Sequence, residues 1–347
     1  MRAHGISRRS FLALAGASAL SGVTSCVGLG RSGGSSGKAP IVIGYSAWPG
    51  WWPWAIGEKK GLFEANGVKV ELRWYDNYLQ SVKDLAAGRI DGNAQTVSDT
   101  LAFAGQAGGI DQSIVLINDI SVGNDKVVAR AGINSLRELR GRKVAVEPGV
   151  VDDFLLTRAL VKAGLTRDDV NIVALETSRG EQAFIDGQVD AFCAFPPFWS
   201  RGLAVPGARE LTSSAQFPWT IWDVLAVDRM LVESRADDVQ AVVNSWVDIL
   251  DYMTLERDDA FALIAERAGV DVSDQGALVD FLKLQDGTQI YSLDDMRRAF
   301  SAGTAPDRLA TSVQEQVAFL VDNEFVKEIP EPLALLEPRF VRNARER

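Results

Sequence analysis

The chain has 347 residues, 47% hydrophobic and 24% charged, with 46 acids against 36 bases and a net charge of −10. That length holds two domains with full cores. Its apolar and aromatic content excludes disorder for most of it, and its acidic balance without a basic run excludes nucleic-acid binding.

The N-terminus reads as an address. Residues 7–13, Ser-Arg-Arg-Ser-Phe-Leu-Ala, resemble a twin-arginine export signal. The apolar stretch from Phe11 to Val23 is shorter than the roughly 20 residues that span a bilayer, and it fits a signal core. Val23-Thr24-Ser25-Cys26 resembles a bacterial lipobox. It implies cleavage before Cys26, acylation of its sulfur and a stable two-chain anchor, on the outer face of the cytoplasmic membrane or in the periplasm. An ordinary cleavage site with an incidental cysteine is the alternative. Removing residues 1–25, with three arginines and no acid, takes the net charge to −13. It also removes His4, the only histidine. Ser-His-Asp or Cys-His catalysis and histidine-bound metals then lack their parts, so no enzyme and no cofactor are expected. Residues 26–39 are a Gly/Ser-rich tether of about 20 Å mean reach, at roughly 5–6 Å times the square root of its length. Gly28, Gly30 and Gly33 spell G-x-G-x-x-G, but no strand precedes them, so the dinucleotide reading fails.

From Pro40 the pattern alternates. Ile41–Tyr45 predicts a strand, Trp54–Asn66 a helix, Val68–Trp74 a strand, Tyr78–Ala87 a helix and Gly92–Thr96 a strand. Ile114–Ile117 is a buried apolar strand that ends in a polar turn over Asn118–Asp125. About a hundred residues after the first rhythm it recurs, with a strand at Lys143–Glu147, a helix at Val151–Ala163, and strands at Val170–Leu175 and Asp190–Phe195. In both copies Gly-x-(Ile/Val)-Asp leads into the next strand, at Gly88 and Gly187. This is a βαβ rhythm, with glycines placed for left-handed helix caps. Cys193 falls within a strand as a small buried residue. After about residue 230, Asp237–Leu255, Arg257–Ala268, Asp274–Leu284, Leu293–Ala302 and Arg308–Val321 read as amphipathic helices.

Ile43-Gly-Tyr-Ser-Ala-Trp-Pro-Gly50, Lys60-Gly-Leu-Phe63, Ala87-Gly-Arg-Ile-Asp91, Leu139-Arg-Gly-Arg-Lys-Val-Ala-Val146, Lys162-Ala-Gly-Leu165 and Gly187-Gln-Val-Asp-Ala191 together resemble solute-binding proteins of ABC importers. The group is the nitrate/sulfonate/taurine/pyrimidine-precursor type, and the resemblance runs over about residues 41–340. It implies an α/β, two-lobed periplasmic binding protein-like fold of the two-crossover type. Each lobe is a mainly parallel sheet flanked by helices, with a helical C-terminal third. The first lobe is expected to hold residues 40–124 and 223–347, and the second 125–222, with crossings near Gly123–Lys126 and Thr220–Val224. The implied role is ligand capture by a monomer and delivery to a membrane permease with its ATPase. A sensor partner or a pyrimidine-precursor enzyme are the alternatives, the latter lacking its histidine and cysteine cluster.

Ligands of such sheets sit at strand ends, which selects the candidates. Trp48 and Trp51, from the run Trp48-Pro-Gly-Trp-Trp-Pro-Trp54, offer flat faces for a ring or a cation. Trp52 and Trp54 are equally suited to the core. Asp76 and Thr96 follow the next two strands, and Asn77 and Ser98 suit helix caps. Asp119 and Ser121 lie in the expected polar turn. Val150 and Asp152 open a helix where relatives carry Thr or Ser for an anion. Phe195 and Pro196 form an apolar wall, and Trp222 with Asp223 pairs an aromatic with an acid. Lys126 is the single base nearby. Aromatics with carboxylates favour an organic cation or a nitrogen heterocycle, pyrimidine- or flavin-like. The alternative is the sulfonate, taurine or nitrate class, which calls for basic or multiple donors.

Overall fold

The computed structural model describes residues 38–104 and 111–345. The export signal, Cys26 and the tether up to residue 37 lie outside the described residues. Among the described residues no helix is long and apolar enough to cross a membrane.

Among the described residues eleven strands form two sheets. They are β1 (Ile41–Tyr45), β2 (Val70–Trp74), β3 (Gly92–Thr96), β4 (Gln112–Ser121), β5 (Lys126–Ala129), β6 (Lys143–Val146), β7 (Asn171–Ala174), β8 (Ala191–Ala194), β9 (Arg209–Ser213), β10 (Trp222–Asp228) and β11 (Thr288–Ile290). The first sheet runs β11-β4-β10-β3-β1-β2 and the second β7-β6-β8-β5-β9. In the first, β1 lies between β2 and β3 and parallel to both; β6 does the same between β7 and β8. Beside each trio comes an antiparallel strand that has just crossed from the other half, β10 or β5. Outside that lies a strand running with the trio, β4 or β9. The recurrence in the sequence is thus a recurrence of topology. Gly88 and Gly187 mark it with φ of 65° and 78°, which favours glycine.

The chain crosses outward between β4 and β5 and returns between β9 and β10. The two crossings are laced together. Ser121 and Ser214 share a hydroxyl hydrogen bond of 2.7 Å, and the Gly123 N–H donates to Ser214 Oγ at 2.7 Å. The Ser121 N–H donates to the Ile221 carbonyl at 3.0 Å.

Strands β5, β9, β10 and β11 were not expected from the sequence, and of the expected elements two differ most. The helix expected over residues 54–66 breaks at Lys60-Gly61 into Trp54–Lys59 and Leu62–Ala65. Strand β4 does not stop at Ile117. Its ladder with β10 continues through the Asp119–Asp223 pair to Ile120, and the strand is buried along its whole length. Backbone pairing carries the polar residues Asn118, Asp119 and Ser121 inward with it.

The C-terminal helices close the first half. The helix Ala236–Leu255 sets Trp246 against Trp54, ring centres 4.5 Å apart, and both rings are fully buried. The helices Arg257–Ala268, Gln275–Asp286, Leu293–Ala299 and Leu309–Asp322 follow. Cys193 is a free, buried thiol in β8.

Candidate functional site

The site grows from the ends of the parallel strands. Ser46 follows β1, Asp76 follows β2 and Thr96 ends β3; Glu147 follows β6, Glu176 follows β7 and Phe195 follows β8. All six line two adjoining chambers between the sheets. The outer one has a volume of about 240 Å³. The inner one is about 20 Å³, room for a single water-sized group. They share Ser46, Ala47, Tyr78 and Phe195.

The tryptophan loop roofs the inner chamber. Trp48 Nε1–H donates to Asp119 Oδ1 at 2.9 Å. Gly50 lies so close above Asp119 that a Cβ there would come within 1.8 Å of Oδ2. Trp51 rests on Tyr78, centroids 5.3 Å apart, and on Trp48 at 6.1 Å. Trp52 turns away to stack on Phe281 at 5.8 Å, and Trp54 joins the core.

Tyr78 begins the helix Tyr78–Ala86, where Asn77 accepts the Gln80 N–H as N-cap. The Tyr78 hydroxyl donates to Asp99 Oδ2 and accepts the Thr96 N–H at 3.0 Å. Thr96 Oγ1 accepts the Asp99 N–H at 3.0 Å and donates to Asp99 Oδ2 at 2.7 Å. Thr96 is therefore the capping side chain here. Ser98, expected as a cap, instead donates to Gln316 at 2.6 Å. Across the mouth, Asn77 Nδ2 donates to Glu176 Oε1 at 2.8 Å, joining the two halves.

Among the described residues no lysine or arginine lines either chamber, while Asp76, Glu147 and Glu176 line the outer and Asp125 and Asp223 the inner. Lys126 is held by Glu210 at 2.6 Å and lies over Trp199. Burial pushes Asp125 up to about 7, against a weaker pull from Ser121. Burial likewise takes Glu147 up to about 7, opposed by the Thr177 N–H and hydroxyl. Asp119 and Asp223 stand opposite each other in the β4–β10 ladder. Burial raises Asp119 to about 7, and burial together with the charge of Asp119 raises Asp223 well above the usual carboxylate range. Asp119 Oδ2 and Asp223 Oδ2 each have no hydrogen-bond partner. None of the acids among the described residues is grouped to hold a metal.

Of the residues singled out in the sequence, Trp48, Trp51, Asp76, Thr96, Phe195, Pro196 and Asp223 line the chambers. Five do not. Asp119 lies beneath the tryptophan loop and anchors it. Ser121 braces the crossings. Trp222 faces the opposite side of β10 from Asp223, as strand alternation requires; it packs edge-on against Tyr291 and donates to the Trp219 carbonyl at 2.6 Å. Val150 lines a separate groove with Pro148 and Phe325. Asp152 is buried in the first turn of Val151–Lys162, where Oδ2 accepts the Thr177 hydroxyl at 3.2 Å; its neighbour Val151 reaches the inner chamber instead. Sequence reasoning missed Tyr78, Asp125, Glu147, Glu176 and Thr177. For Glu147 and Glu176 the signal existed, because Glu147 ends one predicted strand and Glu176 directly follows another.

Two α/β halves with paired crossovers and a cleft at their strand ends define a periplasmic binding protein-like fold. The chain belongs to the NMT1-like family, whose model matches residues 34–269. It is 33% identical over 183 residues to a Brucella abortus (strain 2308) protein named as a binding protein, a match covering 51% of this chain and 55% of that one. The chain thus spans about half the length of the Brucella relatives it matches. A Bacillus subtilis (strain 168) protein named for aliphatic sulfonate binding is 26% identical over 284 residues, 79% of this chain and 84% of that one. The crystal structure of the periplasmic aliphatic sulphonate binding protein SsuA from Escherichia coli superimposes with a TM-score of 0.68 at 21% identity, covering 90% of this chain and 95% of that one. At that identity the likeness is one of fold.

Proposed function

We propose that this chain is the solute-binding component of an ABC-type importer. It captures a small organic molecule between its halves and presents it to a membrane permease and its ATPase. The observation that carries this reading is the convergence of all six parallel-strand ends on one pair of chambers beside two laced crossings. Sheets of this kind bind ligands at those ends, and hinge bending at the crossings buries them. Residues 40–124 with 223–347, and residues 125–222, are the two moving bodies. The protein works as a monomer outside the cytoplasm, tethered through an acylated Cys26. A Cys26→Ser variant is expected to move from the membrane to the soluble fraction.

Two ligand classes have support. The named relatives favour an aliphatic sulfonate or a similar anion, and on comparison alone that class fits better. The chambers weigh the other way: among the described residues five carboxyl groups and no lysine or arginine line them, which suits an organic cation or a nitrogen heterocycle. A thermal-shift panel of alkyl sulfonates, taurine, nitrate, amines, pyrimidines and flavins decides. A ligand at a hundred times its dissociation constant stabilises by about 2.7 kcal/mol. A shift that Tyr78→Phe leaves and Trp51→Ala abolishes supports capture at this cleft. A panel without any shift, or shifts indifferent to Trp51, overturns it.

A further inference from the structure

The inner chamber is chemically one-sided. Asp125 and Asp223 are each 1% exposed, and each has one carboxyl oxygen without a partner. Two of the hydroxyls beside them are already committed: Tyr78 to Asp99 and the Thr96 N–H, and Thr96 to Asp99. The remaining walls are Ser46, Trp48, Trp51, Phe195 and aliphatic side chains. A buried acceptor left unmatched is costly, so these two oxygens call for a donor. They come from different elements, Asp223 from the start of β10 in the first sheet and Asp125 from the outward crossing just before β5 in the second. The volume of about 20 Å³ admits one heavy atom with its hydrogens. The third unpartnered polar atom, Trp51 Nε1–H, is a donor and serves a second heteroatom of the ligand.

We propose that the inner chamber is a subsite for one unsubstituted amino nitrogen of the ligand, a primary ammonium or exocyclic amino group held between Asp125 and Asp223, with the rest of the ligand in the outer chamber. This rests on capture at the cleft but not on either ligand class, since an amino group is compatible with a sulfonate on the same molecule. Three walls of aromatic rings add cation–π attraction. Size sets the specificity: each N-methyl group needs space the chamber lacks, so methylation excludes the nitrogen.

The test is calorimetry and thermal shift on the whole protein, with methylamine, benzylamine, taurine, benzyltrimethylammonium and pentanesulfonate as probes. Primary amines are expected to bind, and the trimethylated analogue at least a hundredfold more weakly. Asp125→Asn and Asp223→Asn keep the shape of the side chain, and their unliganded melting curves report folding. Each is expected to weaken the primary amines at least tenfold and to leave pentanesulfonate within twofold. Equal binding of benzylamine and its trimethylated form overturns the subsite while leaving a cation in the outer chamber. Binding of pentanesulfonate but of no amine overturns the subsite and leaves capture standing. No binding by any probe, in a protein with a folded melting curve, overturns both.

Discussion

Gly50→Ala isolates the mechanical link between the buried carboxyl pair and the tryptophan roof. Gly50 does not adopt a positive φ, so alanine meets no backbone penalty. Elsewhere such a change would stabilise by about 0.4–1 kcal/mol through the unfolded chain. Here the added carbon falls 1.8 Å from Asp119 Oδ2 and 2.1 Å from its Cγ. Reaching ordinary contact requires an opening of about 1.6 Å, which Asp119 cannot supply while Trp48 holds its other oxygen at 2.9 Å. Losing a hydrogen bond to a charged group costs about 1.5–3 kcal/mol, and overpacking adds about 1–3 kcal/mol. The expected total of about 3–5 kcal/mol corresponds to about 4–8 °C in Tm for a chain of this size. Urea unfolding followed by tryptophan fluorescence measures it. In the double variant Gly50→Ala/Asp119→Ala the space is freed, so its cost should fall short of the sum of the single variants by about 1–3 kcal/mol. A Gly50→Ala protein as stable as the parent, or strict additivity, would refute the reasoning.

Glu176→Ala removes the bond across the mouth without removing a cap, since Glu176 makes no capping hydrogen bond. At about 0.5–1.5 kcal/mol it should raise a ligand's Kd about two- to tenfold, seen as faster dissociation in stopped flow. Trp54→Ala should cost about 3–5 kcal/mol of stability with little change in affinity per folded molecule, whereas Trp51→Ala should act chiefly on affinity; equilibrium unfolding and calorimetry separate the two. Asp119, Asp125 and Glu147, each raised to about 7, hold protons in the folded protein that the unfolded chain gives up near pH 4. Their contribution to stability is fully present below pH 4 and is lost as pH rises through about 7. Unliganded protein should therefore melt higher at pH 5.5 than at pH 8, and Asp125→Asn should flatten the difference. Asp99, Asp152, Asp223 and Tyr78 face the same cluster and shift upward with it.

How far the sequence could be read depended on the range of the forces involved. Strand β1 and strand β3 were legible to the residue, because alternation and glycine punctuation are local. The βαβ recurrence was legible because each half repeats the same local order. Asn118-Asp119-Ile120-Ser121 looked like a turn because four polar or mixed residues follow an apolar run. Only the distant partner β10, a hundred residues on, shows that they continue a strand. The Trp222-Asp223 pair illustrates the same limit at the site. Adjacent residues of a strand point to opposite faces, so only one of them reaches the chamber, and the face is settled by Tyr291 packing from the C-terminal third. Tyr78 escaped notice because it sits inside a helix start, where an aromatic ordinarily reads as core. Asp125 escaped because it lies in a crossing read as hinge.

The strand order has a consequence for how the chain comes together. The central place of the first sheet, between β3 and β4, is taken by β10, whose residues Trp222–Asp228 follow the entire second sheet. The second sheet draws all its strands from residues 126–213. A nascent chain that has reached Ile221 therefore carries every strand of the later half and lacks the keystone of the earlier one. The half that starts first finishes last. A truncation at that point should leave β3 and β4 without their common neighbour, a pair of open edges ready to pair with another chain, while residues 126–213 already hold a complete sheet.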